Sequence, residues 1–282
     1  MAGNKLSIRD AQGTIDGVYC DAGPDSPLVI IINGHNGFYN YGMFPYIQRH
    51  LREHGISSYS FNFSHGGVNG DSDYFEDLEK YEQNCMRLET EDLMRVLHSL
   101  AGSFSLHPAI FLLAHSLGGV PTIFGTKKAI AEKINISGVI LVSAVKTLDF
   151  WPRAMIREWA LAGVFYKKNN RTKQDLPQGF EFLQEIVKCD THWNVQQAIG
   201  TLTVPILIIH GDDDEAVPPE HAKALFSWIH NPGAHTRLQI ISGATHTYNT
   251  KHPFEKTSDA LDTLLATVVD WIRELLKPVN TP

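Results

Sequence analysis

The apolar run Ala109 to Leu113 ends abruptly in Ala114-His115-Ser116-Leu117-Gly118-Gly119, and a helical pattern takes over from Val120 to Ile130. A short apolar run bounded by turn residues reads as a strand buried on both faces. A strand that passes straight into a helix leaves room only for a sharp turn, whose backbone is crowded on both sides of the apex. The positions two before and two after the serine must then be small, and here they are Ala114 and Gly118. Such a turn exposes the Ser116 hydroxyl and aims the first amides of the helix at an oxyanion formed beside it. The usual pattern has glycine at both positions, so Ala114 is a mild departure. A Gly-rich turn with an incidental serine is the competing reading of this stretch taken alone.

The surrounding chain alternates short strands with longer helices. Leu28-Val29-Ile30-Ile31-Ile32 is an unbroken, largely β-branched run, followed by a helix over about 42–54 and a strand over 57–63. Helical periodicity runs from Tyr81 to Leu100. After the serine turn and its helix come a strand at 137–143, another at 204–209, a helix near 219–229, a strand at Arg237–Ile241 and a helix over about 258–276. This rhythm means βαβ units and a parallel sheet. Residues 5–20 read as a single hairpin with its turn at Asp10-Ala11-Gln12-Gly13. The rhythm breaks between Ala144 and Leu202, where Phe150, Trp151, Trp159, Phe165, Tyr166, Phe180 and Phe182 sit in helix-like segments. Residues 145–201 are therefore expected to be a cap inserted into one domain, its aromatics in large part the cap's own core and also candidates for lining a pocket.

A serine hydroxyl is a weak nucleophile at neutral pH. It needs an imidazole to take its proton, and that imidazole needs a carboxylate to fix its tautomer and stabilise its charged form. The strand Pro205–Ile209 ends in His210-Gly211-Asp212-Asp213-Asp214-Glu215, where three aspartates compete. Asp214 is favoured, because the chain needs a few residues after His-Gly to turn before an acid can point back. Asp212 and Asp213 read as turn and solvent residues. The last strand is followed by Ser242-Gly243-Ala244-Thr245-His246, so among 14 histidines His246 stands where the base belongs, with His252 as second choice. An oxyanion needs two backbone N–H donors. The amide of Leu117 supplies one, and the loop Asn33-Gly34-His35-Asn36-Gly37 offers the amide of His35, although that loop also reads as an ordinary Gly-rich turn.

Composition excludes several other classes. The net charge is −7, and the longest run of like charge is Asp212–Glu215, which argues against nucleic acid or an anionic membrane as partner. There is no HExxH, CxxC or P-loop pattern, and no GxGxxG follows the first parallel strand, so no metal and no nucleotide cofactor is expected. Three scattered cysteines, Cys20, Cys85 and Cys189, fit a reduced cytoplasmic protein. The N-terminal residues lack the apolar segment of a secretory signal, and no apolar run is long enough to span a bilayer.

Five segments together carry a family resemblance: Asn33-Gly34-His35, Ser60-Phe61-Asn62-Phe63, Ala114–Gly119, His210–Asp214 and Gly243-Ala244-Thr245-His246. In this order the chain resembles the α/β-hydrolase superfamily from about Leu28 to Leu276. Within it, the chain looks like bacterial carboxylesterases of the cinnamoyl/feruloyl esterase type. The resemblance implies a mostly parallel sheet flanked by helices with an inserted helical cap. It also implies a serine esterase acting on small-molecule esters through Ser116, His246 and Asp214, with His35 and Leu117 as oxyanion donors. A thioesterase, amidase or acyltransferase with the same residues, or a non-catalytic ligand-binding scaffold, remains open. The family's acid lies four residues after the histidine of His-Gly, which again selects Asp214. Ser116 sets aside the relatives that carry aspartate or cysteine at that position. Two departures concern the substrate: Asn33 and His35 replace the family's usual His and Phe, and the loop 64–71 is longer than its short counterpart. Both are expected to line the mouth of the site.

Overall fold

The computed structural model describes residues 3–101, 107–230 and 232–277. The chain opens with four short strands, β1 (Asn4–Lys5), β2 (Ile8–Asp10), β3 (Gly13–Ile15) and β4 (Gly17–Cys20). The single hairpin expected here is divided. β2 and β3 pair with each other around Ile8 opposite Ile15, while β1 pairs with β4 and β4 joins the main sheet antiparallel to the strand at 57–61. Ile8 and Ile15 are both buried, and folding them inward breaks the continuity of the longer ribbon.

The alternation then proceeds as β5 (Leu28–Ile32), α1 (Phe44–Glu53), β6 (Ser57–Phe61), α2 (Leu78–Gln83), α3 (Met86–Ala101) and β7 (Ile110–His115). The periodic stretch 81–100 belongs to two helices. Asn84 turns extended between them, and the first amides of α3, at Met86 and Arg87, are taken by the Glu185 carboxylate at 2.6 and 3.0 Å. A tertiary partner thus satisfies donors that a continuous helix would have satisfied internally. After β7 come a 3₁₀ turn at Ser116–Gly118, α4 (Gly119–Ala131) and β8 (Gly138–Val142).

Residues between β8 and the next sheet strand form α5 (Arg153–Ala162), β9 (Phe165–Lys168), β10 (Asp175–Gln178), α6 (Phe180–Val187) and α7 (Val195–Gly200). The helix-like reading of this stretch missed the antiparallel hairpin β9–β10, in which Tyr166 faces Pro177 and Phe165 faces Gln178. The charged residues Lys167 to Lys173 masked its short alternation. Trp151, Trp159 and Phe182 are buried against one another, whereas Phe150, Tyr166 and Phe180 remain exposed. The sheet resumes with β11 (Ile206–Gly211), followed by α8 (Glu220–Ser227), β12 (Arg237–Ile241) and α9 (Asp259–Leu276).

Among the described residues the main sheet has eight strands in the order β1-β4-β6-β5-β7-β8-β11-β12, parallel from β6 to β12. Alternate residues of each central strand face opposite cores. Ile30, Ile32, Leu112 and Ala114 pack under α3 and α4, while Val29, Ile31, Phe111 and Leu113 pack under α1 and α9. Helix α9 shows why it forms there: Ser258 caps its amide at Leu261, and Leu261, Leu264, Leu265, Val268 and Ile272 make one buried stripe. Each such side chain stabilises the fold by about 1.5–3 kcal/mol when fully buried. Among the described residues no helix is long and apolar enough to cross a membrane.

Register fixes where chemistry can assemble. Ile32 of β5 lies opposite Ala114 of β7, and Gly211 of β11 lies opposite Ile241 of β12. The loops starting at 33, 116, 212 and 242 therefore leave the sheet along the same carboxyl edge, where open α/β sheets place their sites.

Candidate active site

Ser116 sits at the apex of the turn with φ +57°, a left-handed conformation that costs free energy for a residue with a Cβ. Two close approaches hold it there. A Cβ on Gly118 would run into the carbonyl of Asn33, and a Cβ on Gly34 would lie 2.8 Å from the His115 carbonyl oxygen and 2.9 Å from Ser116 Cβ. Glycine at both positions lets the 33–37 loop and the serine turn touch backbone to backbone. This contact sets the 33–37 loop against the Leu117 amide, whose nitrogen would lie 3.5 Å from a Cβ on Gly34.

His246 Nε2 stands 3.0 Å from Ser116 Oγ, and His246 Nδ1 stands 2.8 Å from Asp214 Oδ2. A carboxylate can only accept, so Nδ1 carries the proton and Nε2 is left to accept from the serine hydroxyl. Asp214 is buried, and its Oδ1 accepts from the amides of Ala216 and Val217 at 3.1 and 2.8 Å. Burial acts to push its carboxyl up. The hydrogen bonds from His210 and His246, the charge of His246 and the Val217 amide outweigh it and hold the group well below the usual carboxylate range. Asp214 thus stays ionised wherever the protein is folded near neutral pH. The loop that carries His246 is braced by Asn249, which accepts from the amide of Thr245 at 3.0 Å and donates to the carbonyl of Gly243 at 2.9 Å.

The competing residues lie elsewhere. Asp212 accepts from the amide of Gly243 at 2.6 Å, as a turn residue does, and Asp213 is exposed. His252 accepts from the amide of Gly42 at 2.9 Å and stacks on Tyr41 at 4.6 Å, away from Ser116. The His35 imidazole turns toward Tyr81 and Phe182, and burial, with the Lys167 charge behind it, pushes it down to about 3. It is a neutral packing group.

A sequence model of the alpha/beta hydrolase family matches residues 29–260. The chain belongs to this family. No curated protein matches it in sequence. Among solved structures it is similar to Est1E from Butyrivibrio proteoclasticus with ferulic acid bound, at 22% identity and a TM-score of 0.69, covering 96% of this chain and 99% of that one. It is also similar to the monoacylglycerol lipase of Paleococcus ferrophilus, at 14% identity and a TM-score of 0.67, covering 93% of this chain and 99% of that one. At these identities the likeness is one of fold, and this alpha/beta hydrolase resembles bacterial feruloyl esterases in that sense.

Other residues of this alpha/beta hydrolase reach the site without having been singled out in the sequence. The imidazole of His210 is fully buried; its Nε2 donates to the Val217 carbonyl at 2.7 Å and lies 3.3 Å from Asp214 Oδ2. A cavity of about 360 Å³ opens in front of Ser116 and His246, floored by Gly34–Gly37, Tyr41 and Phe44 and roofed by Lys167–Arg171 at the tip of the β9–β10 hairpin. The expectations about its mouth hold for His35, which lines the cavity, and are corrected elsewhere: Asn33 is buried and donates to the Phe61 carbonyl at 2.8 Å, and no residue of loop 64–71 lines it. That loop packs inward at Val68, and its end is tied down by Tyr39, whose hydroxyl donates to Asp71 at 2.5 Å. The cap aromatics likewise do not line the cavity; its roof is polar and cationic. The signal for this was present as three cations within five residues, Lys167, Lys168 and Arg171, with no acid among them.

Proposed function

We propose that this alpha/beta hydrolase is a serine hydrolase that cleaves small carboxylic esters through an acyl-enzyme. The observation that carries the reading is the relay from Asp214 through His246 to Ser116, with spacings of 2.8 and 3.0 Å. His246 Nε2 takes the Ser116 proton as Oγ attacks the ester carbonyl carbon, and the carbonyl oxygen becomes an oxyanion held by the amides of His35 and Leu117. Collapse breaks the bond to the alcohol oxygen, which receives the proton from His246. A water molecule then gives its proton to His246 and attacks the acyl carbon, releasing the acid and restoring Ser116. Asp214 stays ionised throughout and stabilises the imidazolium formed in each half.

Residues 145–201 act, in this reading, as the cap of a single domain, and the reduced state of the three cysteines fits a cytoplasmic enzyme. The substrate panel should include p-nitrophenyl acetate and butyrate, a feruloyl ester because Est1E holds ferulic acid, and matched thioesters and amides. Ester turnover by the purified protein, lost by about 10³-fold or more in Ser116→Ala, is the expected result. Unchanged turnover in that variant contradicts the assignment, and faster thioester or amide cleavage transfers the same machinery to that bond.

A further inference from the structure

The cavity in front of Ser116 carries charge of one sign. The chain as a whole has a net charge of −7, yet the cavity lining includes Lys167, Lys168 and Arg171 and neither aspartate nor glutamate. Among the described residues none of these three cations is within ion-pair distance of a carboxylate.

The hairpin tip that presents them is well braced. Asn169 Oδ1 accepts from the amides of Arg171 and Thr172 at 3.0 and 3.1 Å, and the Lys173 amide donates to the Asn169 carbonyl at 2.8 Å. Gln174 ties the tip to the segment ahead of α2 by donating to the Phe75 carbonyl at 2.7 Å and accepting from the Phe75 amide at 3.1 Å. The Arg171 guanidinium lies 5.0 Å over the ring of Phe38 and 5.7 Å from that of Tyr41. Its Nη1 donates to the carbonyl of Asp73, whereas its Nη2 is buried and has no acceptor. Lys167 Nζ is held 5.3 Å from the ring of Trp151.

Three cations around one cavity, with no carboxylate in its lining, repel one another. An anion in the cavity offsets that repulsion. We propose that the substrate carries an oxyanion group, a carboxylate or a phosphate, remote from its scissile ester, and that Arg171, Lys167 and Lys168 receive it. This rests on Ser116 attacking an ester and adds the class of that ester. Both Ser116 and Arg171 line one cavity of about 360 Å³, which has room for the half-ester of a short dicarboxylic acid.

The test compares kcat/KM for monoethyl adipate with that for diethyl adipate, which differ by one charge. A matched ethyl ester ending in phosphate shows which anion is preferred. A charge-assisted hydrogen bond predicts a preference of about tenfold or more for the anionic ester. That ratio falls in Arg171→Gln and in Lys168→Gln, the latter at an exposed position where folding is not at stake, and it falls as salt is added. It holds in Lys127→Gln, which removes an exposed cation on α4 outside the cavity lining. Diester turnover without an anionic preference, or a preference unchanged in both cavity variants, overturns the charge assignment and leaves the esterase reading standing. No turnover of any of these esters overturns both.

Discussion

His115, the residue immediately before Ser116, reaches the carbonyl oxygen of His246 with its Nε2 at 2.9 Å. A carbonyl can only accept, so the proton is on Nε2. Burial, together with the neighbouring His246 charge, pushes the imidazole down to about 3, and it is neutral at working pH. The two rings stand 4.7 Å apart. The serine turn and the histidine loop, 130 residues apart in the chain, are thus joined by one hydrogen bond next to the contact between Ser116 and His246.

This contact makes His115 a positioning residue. Removing a hydrogen bond to a buried carbonyl costs about 1–3 kcal/mol, so His115→Ala should lower kcat for p-nitrophenyl butyrate about tenfold, with little change in KM. His115→Gln retains a donor and should recover most of that loss. Equal kcat in all three proteins contradicts the role.

Asp214 and Asp212 differ in what they touch. Asp214→Asn removes the acceptor that fixes the His246 tautomer and should lower kcat about 10³- to 10⁴-fold. Asp212→Asn keeps an oxygen for the Gly243 amide and should remain within about fivefold of the parent, since surface substitutions change little. Steady-state kinetics of the two variants decide the matter, and comparable losses in both remove the distinction.

Glu89 of α3 is buried, with Asn84 donating to it at 2.8 Å and Glu185 and Asp92 as like-charged neighbours. Burial first, and those two charges after it, push its carboxyl from an ordinary 4.5 up to about 8. The folded state therefore keeps a proton that the unfolded chain gives up between these values, and stability falls as pH rises through that window. Glu89→Gln mimics the protonated group. Its Tm should match the parent near pH 5 and exceed it above pH 8 by about 4 °C or more. Parallel Tm profiles against pH contradict the buried-proton assignment.

The sequence made the sheet legible because its central strands are buried on both faces and read as continuous apolar runs, as at Leu28–Ile32 and Ile110–Leu113. It also located the three residues that the structure brings together: Ser116 and Asp214 each follow such a run, and His246 follows the half-exposed edge strand Arg237–Ile241. What it hid was decided by contacts between distant segments. The break between α2 and α3 depends on Glu185, and the paired strands β9 and β10 carry too few apolar residues for their period to show. The roof of the cavity was hidden for the same reason: Lys167–Arg171 resembles a solvated turn until Gln174 and Phe75 fold it over Ser116. His115 and His210 each look like one histidine among 14, and only the carbonyls they meet distinguish them.

The central claim is that Ser116 is the activated nucleophile. Treating the folded protein with a fluorophosphonate and mapping the adduct by peptide mass spectrometry measures this directly. The modification is expected on Ser116 alone, lost when the protein is unfolded before treatment and strongly slowed in His246→Ala. An adduct on another residue, or an unmodified Ser116 in folded, intact protein, contradicts it.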